Sequence, residues 1–119
     1  KFFWFDYSNN IENFWGLVDI GITPSQDDEA FGRVIIEAMA SKIPVITTDS
    51  GGPSEIIENN INGICVPKHD YPALELSIEK LLFDTELREK FINRGLSLVE
   101  QKFSLDSYAS HFLKIIKTI

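Results

Sequence analysis

A chain of 119 residues, 44% hydrophobic and 24% charged, is enough for one domain or a large piece of one, and its balance is that of a folded globular protein. Acids outnumber bases 18 to 11, a net charge of -7, which excludes the basic face that nucleic acid or an anionic membrane surface requires; the charge serves solubility. One cysteine, Cys65, excludes an internal disulfide and a cysteine metal cluster, and no apolar run approaches the roughly 20 residues that span a bilayer.

The N-terminal stretch "KFFWFDYSNN" lacks the small-residue cleavage site of a signal peptide and reads as a chain opening directly on a strand, over residues 2–5. A fragment of a larger protein is therefore expected. Asn9 or Asn10 can cap a helix that places Ile11, Phe14, Trp15 and Val18 on one face. "DIGITPS" is a second strand, stopped by Pro24 and Ser25. The loop "SQDDEAFG" leads into a helix over about 32–41, and "IPVITTD" is a third strand, apolar on both faces as a covered parallel strand is.

"SGGPSEIIEN" is a glycine turn feeding a short helix with Pro53 in its first turn. "NGICVP" is a fourth strand, with Cys65 as a small buried hydrophobe. From Tyr71 the pattern is helical, with Leu74, Ile78, Leu81 and Leu82 as one stripe. A further helix spans about 85–102, and "SLDSYASHFLKIIKTI" is a last one, capped at Ser104 or Asp106.

Strands alternating with helices predict an α/β fold: a Rossmann-like parallel sheet of about four strands with flanking helices. Ligands of such sheets sit outside the carboxyl ends of the strands. "PSQDDEAFG" and "TTDSGGPSE" both fall there, and glycine loops that enter helices offer backbone N–H groups to an anion.

Within "EAFGRVIIEAMA" the surroundings of Glu37 are apolar enough to build a buried helix unaided. An unpaired carboxylate is costly to bury, so Glu37 either points to water or meets a polar partner. Taken alone, its spacing from Arg33 reads as an exposed ion pair one helical turn apart. Glu29 alone reads as a charge near a helix N-terminus, Gly51-Gly52 as turn chemistry, and Glu55 either as a group that interacts across the glycine loop or as a solvated first-turn acid. His69 reads as an exposed loop residue and His111 as a helix residue in packing or on the surface. Neither has metal-ligand spacing. The acidic run Asp27 to Glu29 is a weak cation motif, and no metal is expected.

The ordered set Pro24-Ser25, Glu29, Phe31-Gly32, Glu37-Ala38-Met39-Ala40, Pro44-Val45, Gly51-Gly52, Glu55 and Asn62-Gly63 resembles the nucleotide-sugar-binding half of retaining glycosyltransferases of family 4, which have the two-domain GT-B fold. The likeness covers about 5–95. It implies transfer of a sugar from a nucleoside diphosphate sugar to an acceptor, with the anomeric configuration retained. It implies that Glu29 acts in catalysis by contacting donor-sugar hydroxyls, as a positioning group and not a nucleophile. It implies donor contacts from Ser25, from the backbone around Phe31, Gly32 and Arg33, and from Glu37 to the ribose hydroxyls, with residues 7–11 near the base. A carboxylate, an acceptor for two hydrogen bonds, suits a vicinal diol, which answers the anomaly at Glu37.

The resemblance further implies that residues 1–119 are one partial donor-binding domain, with the upstream strands, the diphosphate-binding Arg and Lys and the acceptor domain with its catalytic histidine lying elsewhere. No cofactor beyond the donor substrate is implied. The acceptor would be a growing polysaccharide or lipopolysaccharide, reached through the missing domain. The location would be cytoplasmic, with room for peripheral contact at the inner face of the membrane. Two positions depart from the pattern: Lys42 and Asp6 stand where glycine is common. A lysine near a helix C-terminus is favourable to the dipole. The rival readings are a sugar-nucleotide epimerase of the same fold, a non-catalytic nucleotide-sugar-binding module, and a generic α/β interaction domain.

Overall fold

The computed structural model describes residues 15–23, 33–49, 51 and 55–102. The expected strand over 2–5, most of the first helix, the loop 24–32, Pro53 and the last helix with His111 lie outside the described residues. Among the described residues three strands form a parallel sheet in the order β1 (Gly21–Thr23), β2 (Val45–Thr48), β3 (Ile64–Val66). Three helices accompany them: α1 (Arg33–Ala40), α2 (Tyr71–Phe83) and α3 (Thr85–Lys102). The register aligns Gly21 with Val45, Thr23 with Thr47, and Thr47 with Cys65.

β2 is paired on both sides, and all four of its residues are buried. Its alternate side chains therefore feed two cores. Val45 joins Ile35, Ile36, Ala38 and Met39 of α1, together with Trp15, Ile56, Ile57 and Val99. Ile46 joins Ile64, Val66, Leu81 and Phe91, with Leu74, Ile78 and Leu87 packed around them. So α1 covers one face of the sheet and α2 the other. α3 serves both, giving Phe91 to the second core and Val99 to the first. It can approach α1 closely because Gly95 has no side chain; a Cβ there would lie 3.0 Å from Met39 Cγ.

α2 and α3 are specified by their own termini. Asp70 caps α2, its Oδ1 accepting from Ala73 N at 3.0 Å, and Pro72 fits the first turn, where no N–H is needed. Asp84 ends α2 by donating its N–H to Lys80 O and starts α3 by accepting from Leu87 N. Arg88 then donates to the carbonyls of Leu81 and Leu82, both at 2.9 Å, covering acceptors that a helix end leaves unpaired.

Three sequence readings change. Leu82 is exposed, and its place in the buried stripe is taken by Ser77, whose hydroxyl donates to Ala73 O at 2.8 Å and so enters the core already satisfied. Cys65 is half-buried, not buried; burial pushes its thiol pKa up, and the Asp49 carboxylate adds to the rise. Lys42 sits at φ 63°, the left-handed conformation that favours glycine. Its N–H donates to Met39 O, and that of Ile43 to Ala38 O, so Lys42 closes α1 in a Schellman turn.

Asn62-Gly63 has a packing role. The Asn62 side chain is buried, accepting from Glu58 N at 2.9 Å and donating to Ile56 O at 3.1 Å. A Cβ on Gly63 would lie 2.9 Å from both Val45 O and Ile57 Cδ1. Only glycine lets the chain enter β3 this close to β2.

Candidate functional site

β1, β2 and β3 run parallel, so their carboxyl ends share one edge. The chain leaves β1 at Thr23 and returns as α1, whose N-terminus therefore lies toward that edge. It leaves β2 at Thr48 and passes Asp49, which donates its N–H to Val66 O at 2.9 Å, and then Gly51, at φ 89°. Asp49 and Gly51 are exposed. The chain thus leaves β1 and β2 at one edge of the sheet, the edge at which the sequence places both loops.

α1 positions Glu37 by simple periodicity. Ile35, Ile36, Ala38 and Met39 are all buried and share one face of the helix. Glu37 falls on the opposite face, and its side chain is half-buried. Val34 and Ala40, apolar residues of the same helix, are exposed, so the buried face is narrower than the composition of the helix. Glu37 is therefore not a charge forced into a core. It occupies the middle of the outward face of the helix, within reach of a ligand.

The N-terminus of α1 carries no acidic side chain in its first turn. Its first N–H groups have no partner within the helix, and its dipole end favours an anion. Arg33 is the first helical residue. Glu29, Ser25, Phe31 and Gly32 lie in the segment 24–32, outside the described residues. Glu55 is exposed, as a solvated acid is. His69 is exposed in a turn, at φ 64°.

The sequence reading missed Thr23 and Thr47. Thr23 Oγ1 donates to Thr47 Oγ1 at 2.7 Å, across the last paired residues of β1 and β2. The signal was present as a threonine near the end of each strand, but only the register shows that the two meet. A hollow of ≈ 410 Å³ beside β1 is lined by Trp15, Val18, Ile22, Val34 and Ile35 among others. Thr23 is the one side chain with a hydroxyl among its described lining residues; the rest of the lining is apolar or glycine.

The model of the family described as glycosyl transferases group 1 matches residues 1–97. The capsular polysaccharide biosynthesis glycosyltransferase CapM of Staphylococcus aureus is 38% identical over 109 residues, which cover 86% of this chain and 28% of CapM. The crystal structure of a glycosyltransferase from Rickettsia africae superposes with a TM-score of 0.82 at 37% identity, over 96% of this chain and 31% of that one. TarM of S. aureus, solved in complex with fondaparinux, α-GlcNAc-glycerol and UDP, superposes with a TM-score of 0.77 at 27% identity, over 91% of this chain and 22% of that one. The chain thus spans under a third of the length of these relatives. With the motif, the sheet and these matches in agreement, the chain belongs to the glycosyl transferases group 1 family and carries part of a GT-B carboxyl-terminal domain.

Proposed function

We propose that residues 1–119 are the donor-binding part of a retaining glycosyltransferase, which moves a sugar from a nucleoside diphosphate sugar to a growing glycan. The observation that carries this reading is the place of Glu37: half-buried, on the outward face of α1, one turn from a helix start that holds no acid of its own. A diol and a diphosphate from one molecule fit these two features together. The carboxylate accepts hydrogen bonds from the ribose hydroxyls. The helix N-terminus faces the phosphates. CapM, named for capsular polysaccharide biosynthesis, supports a polysaccharide as the acceptor class, and UDP in the TarM complex supports a nucleoside diphosphate as the leaving group.

In this reading, cleavage at the anomeric carbon leaves charge on the diphosphate. Amides aimed at that charge stabilise it without reorganising as it grows. Glu29 orients the sugar through its hydroxyls, and Ser25 with the backbone around Phe31, Gly32 and Arg33 completes the donor contacts. Proton transfer at the acceptor belongs to the part of the enzyme outside this chain. Among the described residues no helix is long and apolar enough to cross a membrane, and a peripheral place at its inner face is part of the proposal.

Ligand-observed NMR with UDP, GDP and ADP sugars tests the donor site. Saturation transfer to the ribose protons of one nucleotide, lost in Glu37→Ala, is the expected result. Removing hydrogen bonds to a charged group costs about 1.5–3 kcal/mol, so donor affinity falls by about one to two orders of magnitude. Undiminished binding by Glu37→Ala in the full-length protein rules out the ribose role.

A further inference from the structure

Asn62-Gly63 is the one Asn-Gly step in the 119 residues, and it carries a chemistry that sugar transfer does not use. The side-chain amide of an asparagine is open to attack by the backbone nitrogen of the residue that follows it. Glycine, without a Cβ, obstructs that approach least. The fold keeps the two groups apart. Asn62 is 7% exposed. Its Oδ1 accepts from Glu58 N at 2.9 Å and its Nδ2 donates to Ile56 O at 3.1 Å, so the amide is turned back onto the preceding segment. Gly63 is buried, and its backbone lies so close to Val45 O and Ile57 that a Cβ would not fit. The turn is closed by Asn60 N donating to Gly63 O at 2.8 Å and Asn62 N to Glu58 O at 3.3 Å. Lys90 Nζ reaches across from α3 to Asn60 O at 3.1 Å.

We propose that Asn62-Gly63 is a spontaneous deamidation site that the native turn keeps shut, and that its modification makes opening of the turn irreversible. In the opened turn Gly63 N loses its proton and bonds to Asn62 Cγ. The Cγ–Nδ2 bond breaks, Nδ2 takes up a proton and leaves as ammonia, and a cyclic succinimide remains. Water then opens the ring. Cleavage between Gly63 N and Cγ gives aspartate; cleavage between Gly63 N and the main-chain carbonyl carbon of residue 62 gives isoaspartate. Neither product suits the native turn. Aspartate sets a carboxylate oxygen where Nδ2 donated, against Ile56 O, so two acceptors meet in a buried place and one of them is charged. Isoaspartate lengthens the main chain by routing it through Cβ. Gly63, which has no slack against Val45 O and leads directly into β3, is then displaced.

The test follows the full-length protein by peptide mass spectrometry, native and in urea, at mildly alkaline pH. Trypsin cuts after Lys42 and Lys68, so one peptide, 43–68, carries Asn62 together with Asn59 and Asn60 as internal controls. Conversion at Asn62 is expected to be at least about a hundredfold slower in the native protein than in urea, because the turn must open first. In urea Asn62 outpaces Asn59 and Asn60, which are followed by residues with side chains. When urea is removed, the refolded pool retains Asn62 and the pool that fails to refold is enriched in both products. Asn62→Asp, which introduces the first product directly, lowers the urea midpoint or fails to fold. Equal rates in native and unfolded protein would show that the fold does not guard the step. Conversion in urea no faster at Asn62 than at its two neighbours would show that the step is not the reactive one. Modified chains that refold as fully as unmodified ones, or an Asn62→Asp variant with the wild-type midpoint, would show that the turn accommodates the products. Any of these results overturns the proposal.

Discussion

α1 and α2 cover opposite faces of one sheet, yet they are held in different ways. α2 is closed at both ends by its own neighbours: Asp70 at the start, Asp84 at the end, and Arg88 across the last carbonyls. α1 has no acid in its first turn and ends on a lysine in a conformation suited to glycine. What holds α1 is tertiary: four buried side chains against Val45, Ile56, Ile57 and Val99, and the close approach of Gly95 to Met39. The helix that the function leaves alone is locally complete. The helix next to the proposed site has no acid among the described residues of its first turn, and its buried face is held by packing. A terminus already satisfied by a side chain has little to offer a diphosphate.

The sharpest way to break the comparison is to disturb the packing on the α1 side without touching α1. Gly63→Ala places a Cβ 2.9 Å from Val45 O, a backbone atom that cannot swing aside. Overpacking of this kind costs about 2–3 kcal/mol, read as a lower urea midpoint at unchanged slope. The first core includes the buried face of α1, so donor binding should weaken with it. A variant of full stability would show that the entry to β3 has room to relax and that α1 is not held as described.

Asp84→Ala probes the other side. It removes a side-chain acceptor at the start of α3 while leaving the backbone bond to Lys80 O in place. The loss of one capping interaction costs about 1 kcal/mol. Donor affinity should stay unchanged, since the α2–α3 corner serves the second core through Leu81 and Phe91. A drop in affinity as large as that of Gly63→Ala would erase the distinction between the two regions.

The two helices also differed in how well their sequences could be read. The bounds of α3 and the two-sided burial of β2 follow directly from hydrophobic period and run length. α1 misled because Val34 and Ala40 are apolar and yet exposed, so composition hid an amphipathic helix. Leu82 and Ser77 exchanged roles because a serine that bonds back to its own helix presents little unsatisfied polarity. Of the candidate site, the motif singled out Glu37 and the glycine turn as candidates, and the described structure adds the half-buried place of Glu37 and the positive φ of Gly51. The Thr23–Thr47 contact was not, because it depends on strand register, which no local pattern in either strand encodes. The motif at Asn62-Gly63 was legible as a pattern but not as a cause, since the cause is a backbone oxygen 18 residues away in the chain.

The smallest expected effect concerns Lys42, where two forces oppose each other. The lysine charge near the C-terminus of α1 favours the helix dipole by about 0.3–1 kcal/mol. Its left-handed backbone costs an L-residue roughly 1–2 kcal/mol relative to glycine, of which the greater freedom of an unfolded glycine returns about 0.4–1. Lys42→Gly removes both charge and strain, so its net effect is centred near zero, between a loss of about 1 and a gain of about 1.3 kcal/mol. Lys42→Ala removes the charge but keeps the strain, and loses a few tenths of a kcal/mol. The sign of the difference between the two variants in urea unfolding therefore decides which force dominates. Gly above Ala means that backbone conformation governs the end of α1, and that this chain carries a tolerated strain where glycine is common. Ala at or above Gly means that unfolded-state entropy outweighs the strain, and that the Schellman turn holds its shape through the Ile43 and Lys42 hydrogen bonds alone.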